Sequence, residues 1–392
     1  MMKDLFIKTD QQRQWLKKLE SVKEQIVEDV EEIDRQGSFP FKGIEALKKI
    51  KYPAVTLPQQ YGGEGFSIYD MILLQETLGS YDGSTALITG WSLNCIGDVF
   101  QQKIWSEDML QHYAAQIRAR PRFVNRAASE VGTGSPTRGG RPSTTAKRSG
   151  QNWIISGHKT FTTGIPVLDD ILVQAFVEEE QAVGFFLISS TAPGVSWQEN
   201  WDVVGMRGTS SHDLILNKVV VEDVAYVERA TTPRQLKNDG YLLHIPATYL
   251  GIAQAARDYA VDFANTYQPN SLPAPIGTLP SVQEHIGQID LKLAQARFTL
   301  YGVAELFDDV NRKGLLKNEL GIAKHTVTNL AIEIVDRAMR IVGAKSLQLS
   351  NPLQRYYRDV RAGLHNPPMD DMTIKKLAEI ALKERGTIYE KA

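Results

Sequence analysis

Three loops near the middle of the chain carry residue types suited to holding a flat, hydrogen-bonding ligand. Ala128-Ser-Glu-Val-Gly-Thr-Gly-Ser135 sets the hydroxyls of Ser129 and Ser135 around Gly132 and Gly134. Glycine lets backbone approach a ring or a phosphate and turn its N–H groups toward it. The loop is not a dinucleotide fingerprint, because Thr137 stands where GxGxxG needs its third glycine. No Gly-Lys-Ser/Thr follows, so it is not a P-loop either. Taken alone, the same residues also read as an ordinary glycine turn. Lys159-Thr-Phe-Thr-Thr-Gly164 places Phe161 beside the hydroxyls of Thr162 and Thr163. An aromatic so flanked can stack on a ring and bond its edge, or simply belong to a strand of good β-propensity. Gly205-Met-Arg-Gly-Thr-Ser-Ser-His-Asp213 is a third polar loop, readable equally as a β-turn with exposed side chains.

Titratable groups in and around these loops are few in pattern. His158 and His212 have no histidine or carboxylate at ligand spacing and read as surface or turn residues, so no metal site is expected. Arg138, Arg141, Lys147 and Arg148 form a basic cluster, but no aromatic interleaves it before Trp153. That pattern reads as a solvated β-hairpin rather than a nucleic-acid surface.

The elements that must position these loops follow from periodicity. Trp15, Leu19, Val22, Ile26, Val30 and Ile33 fall on one helical stripe, and Gly37 is placed to cap it. Further helices are expected around Ile44–Ile50, from Tyr69 to Leu78 with Gly79 as a stop, and from Ala86 towards Gln116. Near Arg120 the period changes from 3.6 to 2. Asn152–Ser156, Asp170–Val177, Val183–Ile188 and His212–Val221 are short, β-branched or aromatic runs bounded by turn residues. Helices return after Asn238; Val327, Leu330, Ile334, Ala338 and Ile341 form one stripe closed by Gly343. A last helix is expected from Asp370–Asp371 to about Arg385. The reading is an N-terminal helical domain over 1–120, a β domain over 121–235 and a helical domain over 236–392.

Composition bounds the class. The chain has 392 residues, 44 Lys+Arg against 46 Asp+Glu, and one cysteine, Cys95. Near-neutral charge argues against nucleic-acid or anionic-membrane binding, and a lone cysteine against a disulfide framework. No apolar run reaches the roughly 18 residues of a membrane helix, and the N-terminus lacks a secretory signal's apolar core. A cytoplasmic globular protein is expected.

In this order, these segments resemble the acyl-CoA dehydrogenase family over essentially the whole chain. LPQQYGGEGFS resembles the family's VPEEYGGxG, ASEVGTGS its TEPGxGSD and HKTFTTG its QKxWITN. GMRGTSSHD resembles MGxRxSxT, and NPLQRYYRDVR resembles YPVExxxRDAK. The resemblance implies an N-terminal helical domain, a central β-barrel and a C-terminal four-helix bundle, with a flavin between barrel and bundle in a homotetramer or homodimer. It implies that Ser129, Gly134, Ser135, Phe161, Thr162, Thr163 and Gly343 contact FAD or FMN.

Departures from the family concern its chemistry. Dehydrogenation needs a carboxylate over the substrate α-carbon and donors on the thioester carbonyl. The family's glutamate corresponds to Pro367, and the alternative base position to Tyr241. Proline has neither a carboxylate nor an N–H. In Leu364-His-Asn-Pro-Pro-Met-Asp-Asp371, His365, Asp370 and Asp371 are the remaining catalytic candidates; the aspartates read equally as a helix start. At the cofactor's far end, Tyr267 replaces the family arginine, Ala344 replaces a glycine beside Gly343, and Met369 replaces a threonine; these losses fit weaker FAD binding or use of FMN. The working assignment is α,β-dehydrogenation of an acyl-CoA, with electrons passed to an electron-transfer flavoprotein or oxygen. The alternatives are a two-component monooxygenase acting on another small organic substrate with flavin supplied by a reductase, and an idle flavin-binding scaffold.

Overall fold

The computed structural model describes residues 2–132, 140–229 and 239–384. Seven helices come first: α1 (Asp10–Ser21), α2 (Lys23–Val27), α3 (Val30–Gln36), α4 (Phe41–Lys49), α5 (Ile68–Tyr81), α6 (Gly83–Gln102) and α7 (Glu107–Ala119). The single N-terminal helix expected from its stripe is three short ones, because Val22 and Asp29 leave helical geometry. The stripe survives the bends: Trp15, Leu19, Val22, Ile26 and Val30 are all buried. Gly37 closes α3 in the left-handed conformation that glycine adopts without strain.

Gly79 does not stop α5, which runs on to Tyr81. A Cβ there would lie 2.5 Å from the Thr248 carbonyl oxygen, so this glycine lets two helices approach closely. The run expected from Ala86 towards Gln116 breaks at Lys103, whose positive φ ends α6.

Eight strands follow: β1 (Val124–Ala127), β2 (Thr145–Ser149), β3 (Asn152–Lys159), β4 (Asp170–Val177), β5 (Ala182–Ser189), β6 (Val195–Gln198), β7 (Asp213–Glu222) and β8 (Tyr226–Glu228). Their order is β6-β7-β3-β2-β4-β5-β8, with β1 parallel to β4 in the register Val124↔Asp170. β4, mainly apolar between Asp170 and Val177, is buried along nearly its whole length. β2 and β3 form the expected hairpin. Its basic residues are engaged: Arg141 lies over the Phe176 ring, Lys147 pairs with Glu178, and Arg148 pairs with Asp223. Arg138 lies outside the described residues.

Five helices complete the described residues: α8 (His244–Thr266), α9 (Pro280–Asp308), α10 (Glu319–Val342), α11 (Pro352–Asp359) and α12 (Asp370–Glu384). α8, α9 and α10 pack with α5 into one apolar core that continues to the N-terminal helices. A separate core fills the β domain around Trp153, Phe186 and Leu216. No described helix is long and apolar enough to cross a membrane.

Candidate active-site cleft

Three walls enclose a cleft of about 1100 Å³, slightly larger than the roughly 300–1,000 Å³ of a single small-molecule site. The first wall comes from the β domain. Thr160 N–H donates to the Ser129 carbonyl at 2.9 Å, which clips the start of the glycine loop to the turn after β3. That turn is bonded in its own right to the 205–213 loop: Thr162 N–H donates to His212 O and Gly164 N–H to Thr209 O. Asn125 Nδ2 donates to Thr163 O at 3.1 Å. The Thr163, Ser211 and Thr209 hydroxyls form a chain with 2.9 Å links that ends on Met206 O. Phe161 holds a positive φ of 56° and leaves 65% of its surface exposed, its ring edge-on to Trp201. An exposed aromatic on left-handed backbone is held there by its surroundings and offers its ring to whatever enters the cleft.

Glu130 anchors this wall from beneath. Its carboxylate accepts from Lys159 Nζ at 2.6 Å, Ser143 N–H at 2.6 Å and Thr144 N–H at 3.0 Å. Burial pushes the Glu130 pKa up, but the Lys159 ammonium and the two amides outweigh it and hold the group at about 2.

The second wall is one face of α6, presenting Leu87, Trp91, Asn94 and Asp98, with Arg126, Phe185, Asp239 and Leu242 around it. The third is the turn after α11, with Arg358, Arg361, Ala362, His365, Asn366 and Pro367. Arg358 fastens this turn to the rest. It pairs with both Asp34 carboxylate oxygens and donates to Val204 O at 2.6 Å. Gly205 completes the seam, since a Cβ there would lie 2.4 Å from Arg358 O. Asp359 accepts from Met206 N–H at 2.6 Å. Its burial, only partly offset by Arg355, raises its pKa to about 7. Tyr249 Oη donates to Asn366 Oδ1 at 2.6 Å and pins the end of the turn.

The sequence-predicted residues fall in three groups. Ser129, Phe161, Thr163 and His365 line the cleft. Thr162 lies beneath, fully buried, with its hydroxyl meeting no partner. Gly134 and Ser135 lie outside the described residues. Gly343 ends α10 with a φ of 68° and is not part of the cleft wall. Asp370 also stands away from the cleft: Lys324 Nζ donates to one of its oxygens and Asn329 Nδ2 to the other, each at 2.9 Å. Asp371 is exposed in the first turn of α12. Tyr241 is buried against Gly97, whereas Pro367 faces the cleft. His158 bonds Asp213, and His212 Nδ1 accepts from the backbone of Asn200 and Trp201. Among the described residues no group of three potential ligands could hold a metal ion.

The polar residues of the α6 wall escaped sequence reasoning. Their signal was Asn94 and Asp98, four residues apart, in a helix whose other buried positions are mostly apolar or small. The polar set on the first wall fits a flavin. It combines hydroxyls at Ser129, Thr163 and Ser211, an exposed ring at Phe161, and the unpartnered Thr162 hydroxyl behind them. These groups suit the flat face and polar edge of an isoalloxazine.

Comparison with known proteins agrees with this geometry. The chain matches "Acyl-CoA dehydrogenase, N-terminal domain" over residues 9–117, the middle domain over 125–219 and the C-terminal domain over 243–364. YdbM of Bacillus subtilis (strain 168), named only provisionally as an acyl-CoA dehydrogenase, is 51% identical over 379 residues. That alignment covers 97% of this chain and 99% of YdbM. Butyryl-CoA dehydrogenase from Megasphaera elsdenii shares the fold with a TM-score of 0.85 at 19% identity, covering 96% of this chain and 99% of that one. Methanesulfinate monooxygenase MsuC from Pseudomonas fluorescens does so with 0.81 at 21% identity, covering 94% and 97%. At those identities the two structures speak for the fold alone.

Proposed function

The chain belongs to the acyl-CoA dehydrogenase family, whose members are flavoprotein oxidoreductases, and we propose that within it the chain works as a two-component monooxygenase on a small organic substrate. One observation carries this reading: Pro367, which the family resemblance sets at the base position, lines the cleft, and the carboxylates that line it are engaged elsewhere. Glu130 holds Lys159 and two amides, Asp98 holds Arg126, and Asp239 accepts from Asn94 and from Tyr241 N–H. The undescribed segments 133–139 and 230–238 contain no Asp or Glu. A base for an α-proton therefore has no obvious source among these groups.

Reduced flavin, FMN or FAD, delivered by a separate reductase, would supply two electrons to dioxygen; with two protons, one oxygen atom enters the substrate and the other leaves as water. Every other contribution belongs to the chain. Phe161 would offer a face to the flavin ring, and the Ser129, Thr163 and Ser211 hydroxyls would hold its polar edge. Leu87, Trp91 and Met206 give the cleft apolar walls that would exclude water from a bound substrate. His365, on the third wall, holds or passes a proton at a ring nitrogen. Leu291 and Phe298, exposed seven residues apart on α9, support assembly of the chain as a homotetramer or homodimer.

α,β-Dehydrogenation of an acyl-CoA is the second reading. It is favoured by His365, which sits on the same turn as Pro367 and could take the base's place. The purified protein should gain flavin absorbance on titration with FMN or FAD; a protein that binds neither refutes both readings. Anaerobic addition of saturated acyl-CoAs from four to sixteen carbons (~4–16, spanning the usual alkyl classes) should leave the oxidised flavin's absorbance unchanged. Bleaching by any of them would establish the dehydrogenase and overturn the monooxygenase.

A further inference from the structure

The α6 wall has a chemistry that the flavin-side loops do not use. Leu87, Trp91, Asn94 and Asp98 follow one another down one helix face at spacings of four, three and four, over about 16 Å. The face is apolar at Leu87 and Trp91 and turns polar at Asn94 and Asp98. At that polar end Arg126 donates to the two Glu228 oxygens at 2.9 and 3.1 Å and to Asp98 Oδ2 at 2.9 Å. The Phe185 ring faces its guanidinium at 5.1 Å. Its Nε–H donates to no described residue, so the guanidinium keeps donor capacity at the cleft. Asn94 is 3% exposed and donates through Nδ2 to Asp239 Oδ2 at 2.7 Å. Its Oδ1 accepts from no described residue, and its second N–H donates to none. A buried amide with an open acceptor and an open donor at a cleft surface gives up the bonds water would make unless a ligand restores them.

We propose that this end of the cleft sets substrate specificity, and that it takes a small organic molecule whose remote end both donates and accepts hydrogen bonds, as a hydroxyl or carboxamide does, in preference to a saturated alkyl tail. The inference rests on the reading of the cleft as the substrate site. A methyl-terminated chain against Asn94 and Arg126 displaces water from both and returns no bond. A pocket built to hydrogen-bond its ligand rejects the apolar analogue more strongly than an apolar pocket rejects a polar one. Asn94 and Arg126 act here by selecting the substrate.

Two matched probe pairs isolate this wall from whatever the other end of the substrate requires: hexanoate against 6-hydroxyhexanoate, and hexanoyl-CoA against 6-hydroxyhexanoyl-CoA. Calorimetric titration of the flavin-loaded protein, repeated without flavin, gives each dissociation constant. The hydroxylated member of at least one pair should bind tenfold or more tightly than its methyl-terminated partner. Asn94→Leu should bring that ratio to one or invert it, and Asn94→Ala serves the same end should the leucine variant not fold. Equal or tighter binding of the methyl-terminated members, no binding of either hydroxylated probe at millimolar concentration, or a ratio unmoved by both variants would each overturn the proposal. Failure to bind flavin would sink the monooxygenase reading instead, and the probe ratio is read without it.

Discussion

Glu130→Ala tests whether the glycine loop is held by a buried ion pair or merely adjoins one. Glu130 and the Lys159 side chain are almost wholly buried, and the carboxylate also accepts two amides. Truncating it leaves the Lys159 ammonium in the protein interior with its carboxylate gone, together with two N–H groups. Breaking a buried pair in this way costs about 3–5 kcal/mol. Linkage gives a similar figure: lowering the carboxyl from 4.5 to about 2 corresponds to roughly 3 kcal/mol of native-state stability.

The two partners do not share that benefit equally. Burial holds the Lys159 pKa below its usual 10.5 even with Glu130 beside it. The pair as a whole is therefore worth less than the cost of breaking it, and removing both members should be milder than removing one. Glu130→Ala should lose about 4 kcal/mol and the Glu130→Ala/Lys159→Met double variant about 2, the remainder reflecting the two orphaned amides. Urea unfolding followed by tryptophan fluorescence reads both, with Trp153 reporting from the same core. Because the folded pKa of Glu130 lies below its unfolded value, its contribution is complete above about pH 4.5 and is lost as pH falls towards 2. The single variant should therefore approach wild type in acid. A single variant within about 1 kcal/mol of wild type at pH 7, or a double variant equal to the sum of both singles, would refute the reasoning.

Two further outcomes follow from the third wall. His365→Ala should reduce turnover by about 10²-fold or more, within the range of a lost proton-transfer group, whereas Asp371→Ala should change it by less than about twofold; equal effects under steady-state assay would count against His365. Asp359 retains its proton up to about pH 7 when folded and releases it near 3.8 when unfolded, so wild-type stability should fall as pH rises across that interval. Asp359→Asn should remove up to about 4 kcal/mol of that decline in denaturation curves taken between pH 4 and 8, and an unchanged slope would show that burial does not keep the group protonated.

What the sequence revealed, and what it hid, divides by the range of the interactions involved. β4 was readable to the residue because eight consecutive positions form a strand buried along nearly its whole length, and α12 because Asp370 and Asp371 mark a helix start. The cleft-lining positions Ser129, Phe161 and Thr163 were readable because clustered hydroxyls and a flanked aromatic are local facts. Gly79 misled for the opposite reason: its local meaning is a helix stop, while its actual role is set by Thr248 on another helix. Asp370 misled similarly, since Lys324 and Asn329 occupy the carboxylate from α10. The α6 wall lay furthest from reach. Asn94 meets Asp239, and Arg126 meets Asp98 and Glu228, across 145, 28 and 102 positions of chain. Each residue alone is an ordinary polar side chain, and only the packing of α6 against β1 and the start of the C-terminal helices makes them one surface. Specificity is the property most exposed to this effect. A cofactor is gripped largely by short loops, whereas a substrate is selected where separate elements converge, so related sequences can keep the first legible while the second changes.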